Sequence, residues 1–165
     1  MADGLTLDRA FGVDEVRAEF PILQRQVNGK PLVYLDNAAS AQKPRAVIDA
    51  YARQMETAYA NVHRGLHTLA NETTEALEAA REDVRRFLNA SLTEEIIFTK
   101  GATEGINLVA QTFGQSLNAG DEIVLSIMEH HSNIVPWHML REARGVVLKW
   151  VPVLEDGSLD MGAYN

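Results

Sequence analysis

Three segments near the end of the chain decide the fold: IVLSI at residues 123–127, NIVPWHMLREA at 133–143 and VVLKWVPV at 146–153. The first and third are short apolar runs rich in β-branched residues, which favour buried strands. The middle segment has helical spacing, and Pro136 lies near its start, where a helix tolerates proline. Apolar strands separated by a helix are typical of a parallel sheet covered by helices. We therefore predict an α/β fold with a mostly parallel sheet and helices on both faces.

The same alternation continues towards the N-terminus. Residues 96–99 are a predicted strand, 103–117 a helix, and a long amphipathic helix runs from Thr73 to an end at Asn89. A loop without clear period covers residues 61–71. The remaining predictions are a helix at 14–20, a turn at Asn28-Gly29, a strand at 32–35, a helix with Pro44 in its first turn, and a turn at Asp156-Gly157 before a helix capped by Ser158 or Asp160.

The predicted organisation is an N-terminal arm over residues 1–34 and an incomplete large domain over 35–165. A helix that begins after Asp160 has too few residues to complete two turns before the last residue. A parallel sheet with so few strands also leaves exposed edges, which natural domains usually cover. We therefore interpret the sequence as the N-terminal part of a longer, truncated domain.

Composition excludes several classes of protein. The 165 residues hold no apolar run of the roughly 18 residues that a membrane helix needs. Fifteen basic and 23 acidic residues give a net charge of −8, which argues against binding to nucleic acid. The start lacks a basic segment before an apolar stretch, so we expect a cytoplasmic protein without a secretion signal. No cysteine is present, which excludes thiolate metal sites and a cysteine nucleophile within these residues.

A first candidate site lies at TKGATEG, residues 99–105. Gly101 permits a sharp turn, and the first N–H groups of the following helix lack intrahelical partners. Such a terminus binds anions, with the Thr103 hydroxyl as a further donor. An ordinary strand-to-helix turn capped by Thr103 is the alternative.

A second candidate is MEHHSN, residues 128–133, at the carboxyl end of the next strand, where open parallel sheets bind ligands. An imidazole at His130 or His131 can stack on a planar ring, transfer a proton or bind a metal. The alternative is a pair of loop histidines with solvent and backbone as partners.

Two further stretches carry weaker signals. HRGLH, residues 63–67, has two histidines four apart, but the order found in zinc proteases is absent and Gly65 weakens a helix, so we predict no metal site. Arg64 can pair with a carboxylate or phosphate, or form a surface salt bridge. Small residues in LDNAAS, residues 35–40, allow close approach of a ligand, and a tight turn explains them equally well.

Together and in this order, YLDNAA at 34–39, HRGLHT at 63–68, GATEGIN at 101–107 and MEHHSNIVPW at 128–137 resemble the group II cysteine desulfurases of the SUF iron–sulfur system. These are fold-type I pyridoxal-phosphate (PLP) enzymes of the class V aminotransferase group. The resemblance implies that Ala102 and Thr103 receive the PLP phosphate and that His130 is catalytic, stacking on the pyridine ring and assisting proton transfer. It also places Asn37, Ala38 and Ala39 on the substrate side, His63 and Arg64 near the entrance and dimer partner, and His131 in support of the pocket.

The resemblance further implies a homodimer that converts L-cysteine into L-alanine. In this family PLP is the electron sink for Cα deprotonation. A cysteine thiolate then takes the substrate sulfur as a persulfide and passes it to an acceptor protein. Another class V enzyme, a selenocysteine lyase or an aminotransferase-like member, is the alternative, as is a non-catalytic fragment. We expect this chain alone to be inactive, because it has no cysteine and none of its four lysines stands in the family's Ser-x-His-Lys context: Lys30, Lys43, Lys100 and Lys149.

Overall fold

The structure is a computed structural model, and it describes residues 12–164. The chain divides into two compact units, Met1–Thr93 and Glu94–Asn165. Among the described residues, no helix combines the length and the apolar character needed to cross a membrane.

The first unit opens with a short helix and a hairpin. Helix α1 covers Val13–Ala18 and is followed by a 3-10 helix over Pro21–Gln24, so the predicted helix is confirmed and ends before the proline. Strands β1 (Gln26–Val27) and β2 (Lys30–Pro31) pair antiparallel across Asn28-Gly29. Both turn residues have positive φ angles, 52° and 72°, as two-residue hairpin turns require.

The predicted strand at residues 32–35 is wrong. The turn fixes strand pairing at residues 30–31, and only one further backbone bond follows, from the Leu32 N–H to the Arg25 carbonyl at 2.9 Å. Beyond it Val33 and Leu35 are 77% and 89% exposed, so the apolar run does not enter a sheet. A strand needs a partner along its edge, which an apolar run alone does not supply.

Two long helices complete the first unit, α2 (Arg45–Thr57) and α3 (Thr68–Leu88). Pro44 is the N-cap of α2 rather than part of its first turn. Helix α3 begins five residues before Thr73 because His67 caps it, with Nδ1 accepting the Ala70 N–H at 3.4 Å. It ends at Asn89, as predicted, and Asn89 takes the left-handed conformation (φ 55°).

The second unit contains the predicted α/β arrangement. Helix α4 (Ala102–Thr112) continues into a 3-10 helix over Phe113–Ser116 and leads to strand β3 (Glu122–Ser126). Helix α5 (Val135–Arg144) then connects β3 to strand β4 (Val147–Val151). The two strands pair in parallel from Glu122↔Val147 to Ser126↔Val151. This pair and its connecting helix confirm the α/β class.

The end of the chain also follows the sequence prediction. Gly157 has a φ of 84° in the turn after β4, and helix α6 covers Met161–Tyr164. Asp160 caps this helix, with Oδ1 accepting the N–H groups of Gly162 and Ala163, both at 3.0 Å.

Residues 96–99 are not a strand, and that prediction is wrong. In the described part of this unit the sheet consists of β3 and β4. Ile96 is buried, whereas Ile97 and Phe98 are 65% and 48% exposed. The apolar composition of the segment therefore does not by itself make it a strand.

The core of the second unit lies between the β3–β4 pair and helices α4 and α5. Its buried apolar side chains are Ile96, Ala110, Leu125, Leu140, Val146 and Val151. In the first unit, by contrast, the apolar stripes of α2 and α3 are largely exposed, with Tyr51 at 68% and Phe87 at 88%. Burial therefore concentrates around the two parallel strands.

Gly114 supplies a test of this packing. A Cβ atom there would lie 2.9 Å from Cδ2 of the buried Leu140. Gly114→Ala should lower the free energy of unfolding by about 1–3 kcal/mol, because the core must shift to admit the methyl group. Gly105→Ala is the matched control, since its Cβ would make an ordinary 3.7 Å contact with Thr99 Oγ1. The control should be neutral or stabilise the chain by about 0.5–1 kcal/mol. Urea denaturation checks both values, and equal effects would contradict the packing described here.

Candidate functional site

The N-terminus of helix α4 presents an open face to an anion. Gly101, its N-cap, has φ 149° and ψ 179°, a conformation that is essentially limited to glycine. Apart from Gly101 and its two chain neighbours, no described residue has an atom within 4 Å of the position that a Cβ would take there. The helix starts at Ala102, one residue before the predicted start. Because Gly101 has no side chain, the first N–H groups of α4 are not capped by it, and Thr103 is exposed beside them.

Hydrogen bonds hold the turn before α4 in this shape. The Lys100 N–H donates to the Glu104 carboxylate at 2.5 Å, and the Thr99 hydroxyl donates to the Gly101 carbonyl at 3.2 Å. The Asn107 side-chain amide donates to the Thr103 carbonyl at 2.8 Å. The carboxylate of Glu104 is thus bound to the backbone preceding the glycine. The turn is fixed by its own side chains, and the helix terminus remains available for a ligand.

His130 lies in the loop after β3 and caps the 3-10 helix over His131–Asn133. Its Nδ1 atom accepts the backbone N–H of Ser132 at 3.2 Å and lies 2.9 Å from the Ser132 hydroxyl oxygen. A backbone N–H can only donate, so the proton of the neutral ring belongs on Nε2. The His131 ring stands edge-on at 6.1 Å between centroids. The His130 side chain is exposed, with one nitrogen occupied and the other a donor.

The two predicted motifs lie on adjacent elements of one unit. Helix α4 packs against the 3-10 helix that follows His130 and against α5. His130 also comes four residues after the carboxyl end of β3, the edge where open α/β sheets bind ligands. A helix terminus without a side-chain cap and an exposed imidazole are groups that can bind a phosphorylated aromatic ligand.

A chain of hydrogen bonds that was not predicted from the sequence lies next to His130 along the chain. The Ser126 hydroxyl donates to Glu129 Oε1 at 2.7 Å, and the Asn133 amide donates to Glu129 Oε2 at 2.8 Å. The Trp137 indole N–H in turn donates to Asn133 Oδ1 at 2.8 Å. The Ser126 hydroxyl first, and then the Asn133 amide, hold the pKa of the Glu129 carboxyl below its ordinary value. The four-residue spacings from 129 to 133 and from 133 to 137 were the available signal.

In the first unit, Asn37, Ala38 and Ala39 form a turn that Tyr34 braces. The Tyr34 hydroxyl donates to the Ser40 carbonyl at 2.8 Å, across this turn. Asn37 also lines a cavity of about 400 Å³ together with Tyr34 and side chains of α1 and the following 3-10 helix. The stretch is therefore a tight turn, one of the two forms considered from the sequence.

His63 and Arg64 lie in the loop before α3, and both are exposed. His63 has a φ of 63°, its N–H donates to the Thr74 hydroxyl at 3.0 Å, and its Nε2 lies 3.4 Å from the Glu78 carboxylate. His67 instead caps α3, so the two histidines do not share a helix face. Among residues 12–164, no three histidine, aspartate or glutamate side chains are grouped closely enough to hold a metal ion.

Comparison with known proteins identifies the family. The family model described as Aminotransferase class-V matches residues 33–165, and the chain belongs to this family. The cysteine desulfurase of Serratia proteamaculans (strain 568) is 56% identical over 153 residues, which cover 92% of this chain and 38% of that protein. The chain thus spans about 38% of the length of this curated relative.

Two solved structures share the fold. The apo cysteine desulfurase of Thermococcus onnurineus NA1 is 34% identical, with a TM-score of 0.81 over 92% of this chain and 36% of that chain. The cysteine desulfurase CsdA of Escherichia coli, in an S-sulfonic acid form, is 39% identical, with a TM-score of 0.74 over 94% of this chain and 38% of that chain. These likenesses confirm the predicted fold and the class V part of the resemblance.

Proposed function

We propose that this chain is the N-terminal part of a cysteine desulfurase that converts L-cysteine into L-alanine and an enzyme-bound persulfide. The observation that carries the proposal is the open, glycine-started terminus of α4 with the exposed imidazole of His130 on a neighbouring element. Cysteine desulfurases among the relatives support the choice of substrate, with 56% identity in the Serratia protein.

The cofactor is pyridoxal 5′-phosphate, as the family implies, and the residues present fit two of its parts. The backbone N–H groups of Ala102 and Thr103, with the Thr103 hydroxyl, would hold the phosphate at the α4 terminus. The His130 ring would stack on the pyridine ring, and its Nε2 atom would hold a proton for exchange with the substrate. When bound, PLP withdraws electrons from that carbon.

We further propose roles for the first unit. Asn37, Ala38 and Ala39 line the substrate side, and His63 and Arg64 lie at the entrance, close to the second subunit of a homodimer. Residues 1–34 serve as an arm, and residues 35–165 form part of the PLP-binding large domain. The left-handed backbone of His63, held by the Thr74 hydroxyl, supports a fixed position for this loop.

The sulfur step needs a group that this chain does not contain. A thiolate attacks the substrate sulfur, an S–S bond forms as the C–S bond breaks, and the protonated carbon skeleton leaves as L-alanine. No cysteine occurs in residues 1–165, so the nucleophile must come from elsewhere in the enzyme. None of the four lysines stands in the family's Ser-x-His-Lys context, so we propose that the Schiff-base lysine also lies outside these residues. We propose that the enzyme is cytoplasmic, belongs to the SUF system and passes its sulfur to an acceptor protein.

Substrate specificity tests the proposal directly. The full-length enzyme is incubated with L-cysteine or L-selenocysteine, and L-alanine is measured by chromatography. Alanine and persulfide from L-cysteine are expected. Alanine from selenocysteine alone would indicate a lyase for that substrate, and transfer of the amino group to a keto acid would indicate an aminotransferase. Either result would contradict the desulfurase proposal.

The missing lysine gives a prediction for the 165-residue chain alone. Incubation with PLP and borohydride should give no stoichiometric adduct at a defined lysine, because none of its four lysines has the family context. Intact mass and peptide mapping measure the labelling. The full-length enzyme is the positive control and should be labelled stoichiometrically. Stoichiometric labelling of Lys100, the lysine beside the α4 terminus, would contradict the prediction.

A further inference from the structure

The chain of hydrogen bonds behind His130 joins three elements of the second unit. Ser126 is the last residue of β3, Asn133 ends the 3-10 helix, and Trp137 lies in the first turn of α5. Glu129 is the central member, since it alone accepts bonds from both the strand and the 3-10 helix, at 2.7 and 2.8 Å. Its two oxygens are therefore each occupied by a different element.

These contacts enclose the segment that contains His130. Residues 130–132 lie between Glu129 and Asn133, so the carboxylate bridges the two ends of a five-residue loop. Inside this loop the Ser132 N–H donates to His130 Nδ1 at 3.2 Å. The direction of that N–H depends on the turn over His131–Asn133, because a backbone amide points where its helix turn directs it.

We propose that Glu129 is a positioning residue for His130: by fixing the turn over residues 131–133, it holds the imidazole in the Nε2–H tautomer. The catalytic use of the His130 ring rests on the proposed function. The tautomer itself is a property of this chain and is measurable without cofactor or substrate.

The charge of Glu129 suits this role. Hydrogen bonds from Ser126 and Asn133 lower its pKa, so the carboxyl is ionised at neutral pH, and bonds to an ionised acceptor are stronger than those between neutral groups. Trp137 extends the network to α5 and turns the acceptor oxygen of Asn133 away from the loop. The Asn133 side chain is thereby oriented with its amide towards Glu129.

The experiment is ¹⁵N NMR of the full chain without cofactor, with the ring nitrogens of His130 assigned by their loss in His130→Gln. In the unsubstituted chain the neutral ring should be Nε2–H. In Glu129→Ala the ratio of Nε2–H to Nδ1–H should fall about threefold or more towards that of an unrestrained histidine. The Trp137 indole N–H should also exchange faster with solvent.

Two further variants serve as controls. Glu129→Gln keeps one acceptor oxygen and gains one donor, so it should restore most of the tautomer ratio. Glu142→Ala, on the exposed side of α5, should change neither signal.

Two results would overturn the proposal. One is a folded Glu129→Ala chain with an unchanged His130 tautomer, which would make the network a support for α5 alone. If Glu129→Ala does not fold, Ser126→Ala removes one of the two bonds to the carboxylate, and Trp137→Phe removes the bond to Asn133. An unchanged His130 tautomer in both of these variants would also overturn the proposal. A chain with the expected tautomer whose full-length enzyme binds no PLP would contradict only the proposed function.

Discussion

His130→Ala should lower L-alanine release by the full-length enzyme by about 10²- to 10⁴-fold, the range for loss of a general acid or base. The exposed ring of His130 offers both a flat face and a proton at Nε2, since Nδ1 is occupied by the Ser132 N–H. The alanine side chain introduced at position 130 has neither an aromatic face nor a proton to transfer. The rate of L-alanine formation from L-cysteine is the measurement, and the PLP absorbance of the purified variant separates lost chemistry from lost cofactor.

His138→Ala is the matched control for this substitution. His138 lies on α5 with its ring 6.0 Å from that of Trp150, and it belongs to no part of the proposed site. The control should keep nearly full activity and cofactor content. Unchanged alanine release in His130→Ala would remove His130 from the mechanism, and an equal loss in both variants would point to a general effect on the fold.

Gly101→Ala should weaken PLP binding by the full-length enzyme about 10- to 100-fold. The backbone of Gly101, at φ 149° and ψ 179°, costs a residue with a Cβ about 1–3 kcal/mol, and each 1.4 kcal/mol corresponds to a factor of ten in affinity. The chain relieves this strain by moving the turn that presents the Ala102 and Thr103 N–H groups. PLP titration followed by absorbance measures the affinity, and competition by inorganic phosphate reports on the phosphate end alone.

Gly157→Ala provides the comparison. Gly157 also has a positive φ, 84°, with no atom within 4 Å of a Cβ, but it lies in the turn after β4. Its substitution should lower stability by a similar amount and leave the affinity for PLP unchanged. Equal affinities for PLP in both variants would contradict the assignment of the α4 terminus to the phosphate.

In the second unit, the sequence predicted strands correctly where the apolar runs are buried. Residues 123–127 and 146–153 combine β-branched composition with burial of Leu125 and Val151, and both contain strands in the structure. Residues 32–35 and 96–99 have similar composition but are not strands, which shows that an apolar run does not by itself determine strand formation. Helix α3 starts five residues before the predicted start at Thr73. Its N-cap is His67, and histidine is not among the residues that usually indicate a helix start.

The candidate site residues were chosen from the sequence by their place between predicted elements. Gly101 and His130 were recognisable because each lies at a predicted junction between elements, where ligands are expected. The role of Glu129 was not, because its partners come from the end of a strand and from a 3-10 helix that periodicity does not reveal. The site residues and their roles remain predictions, for which the variants above are the tests.

The short sequence separation of strands β3 and β4 affects how the chain folds during synthesis. The strand pairing joins residues 122–126 to residues 147–151, so it requires the closure of only one short stretch of chain. Domains emerge from the ribosome from the N-terminal side, and contacts of short sequence separation form fastest. This segment should therefore acquire protection from proteolysis on the ribosome as soon as residue 151 has left the exit tunnel.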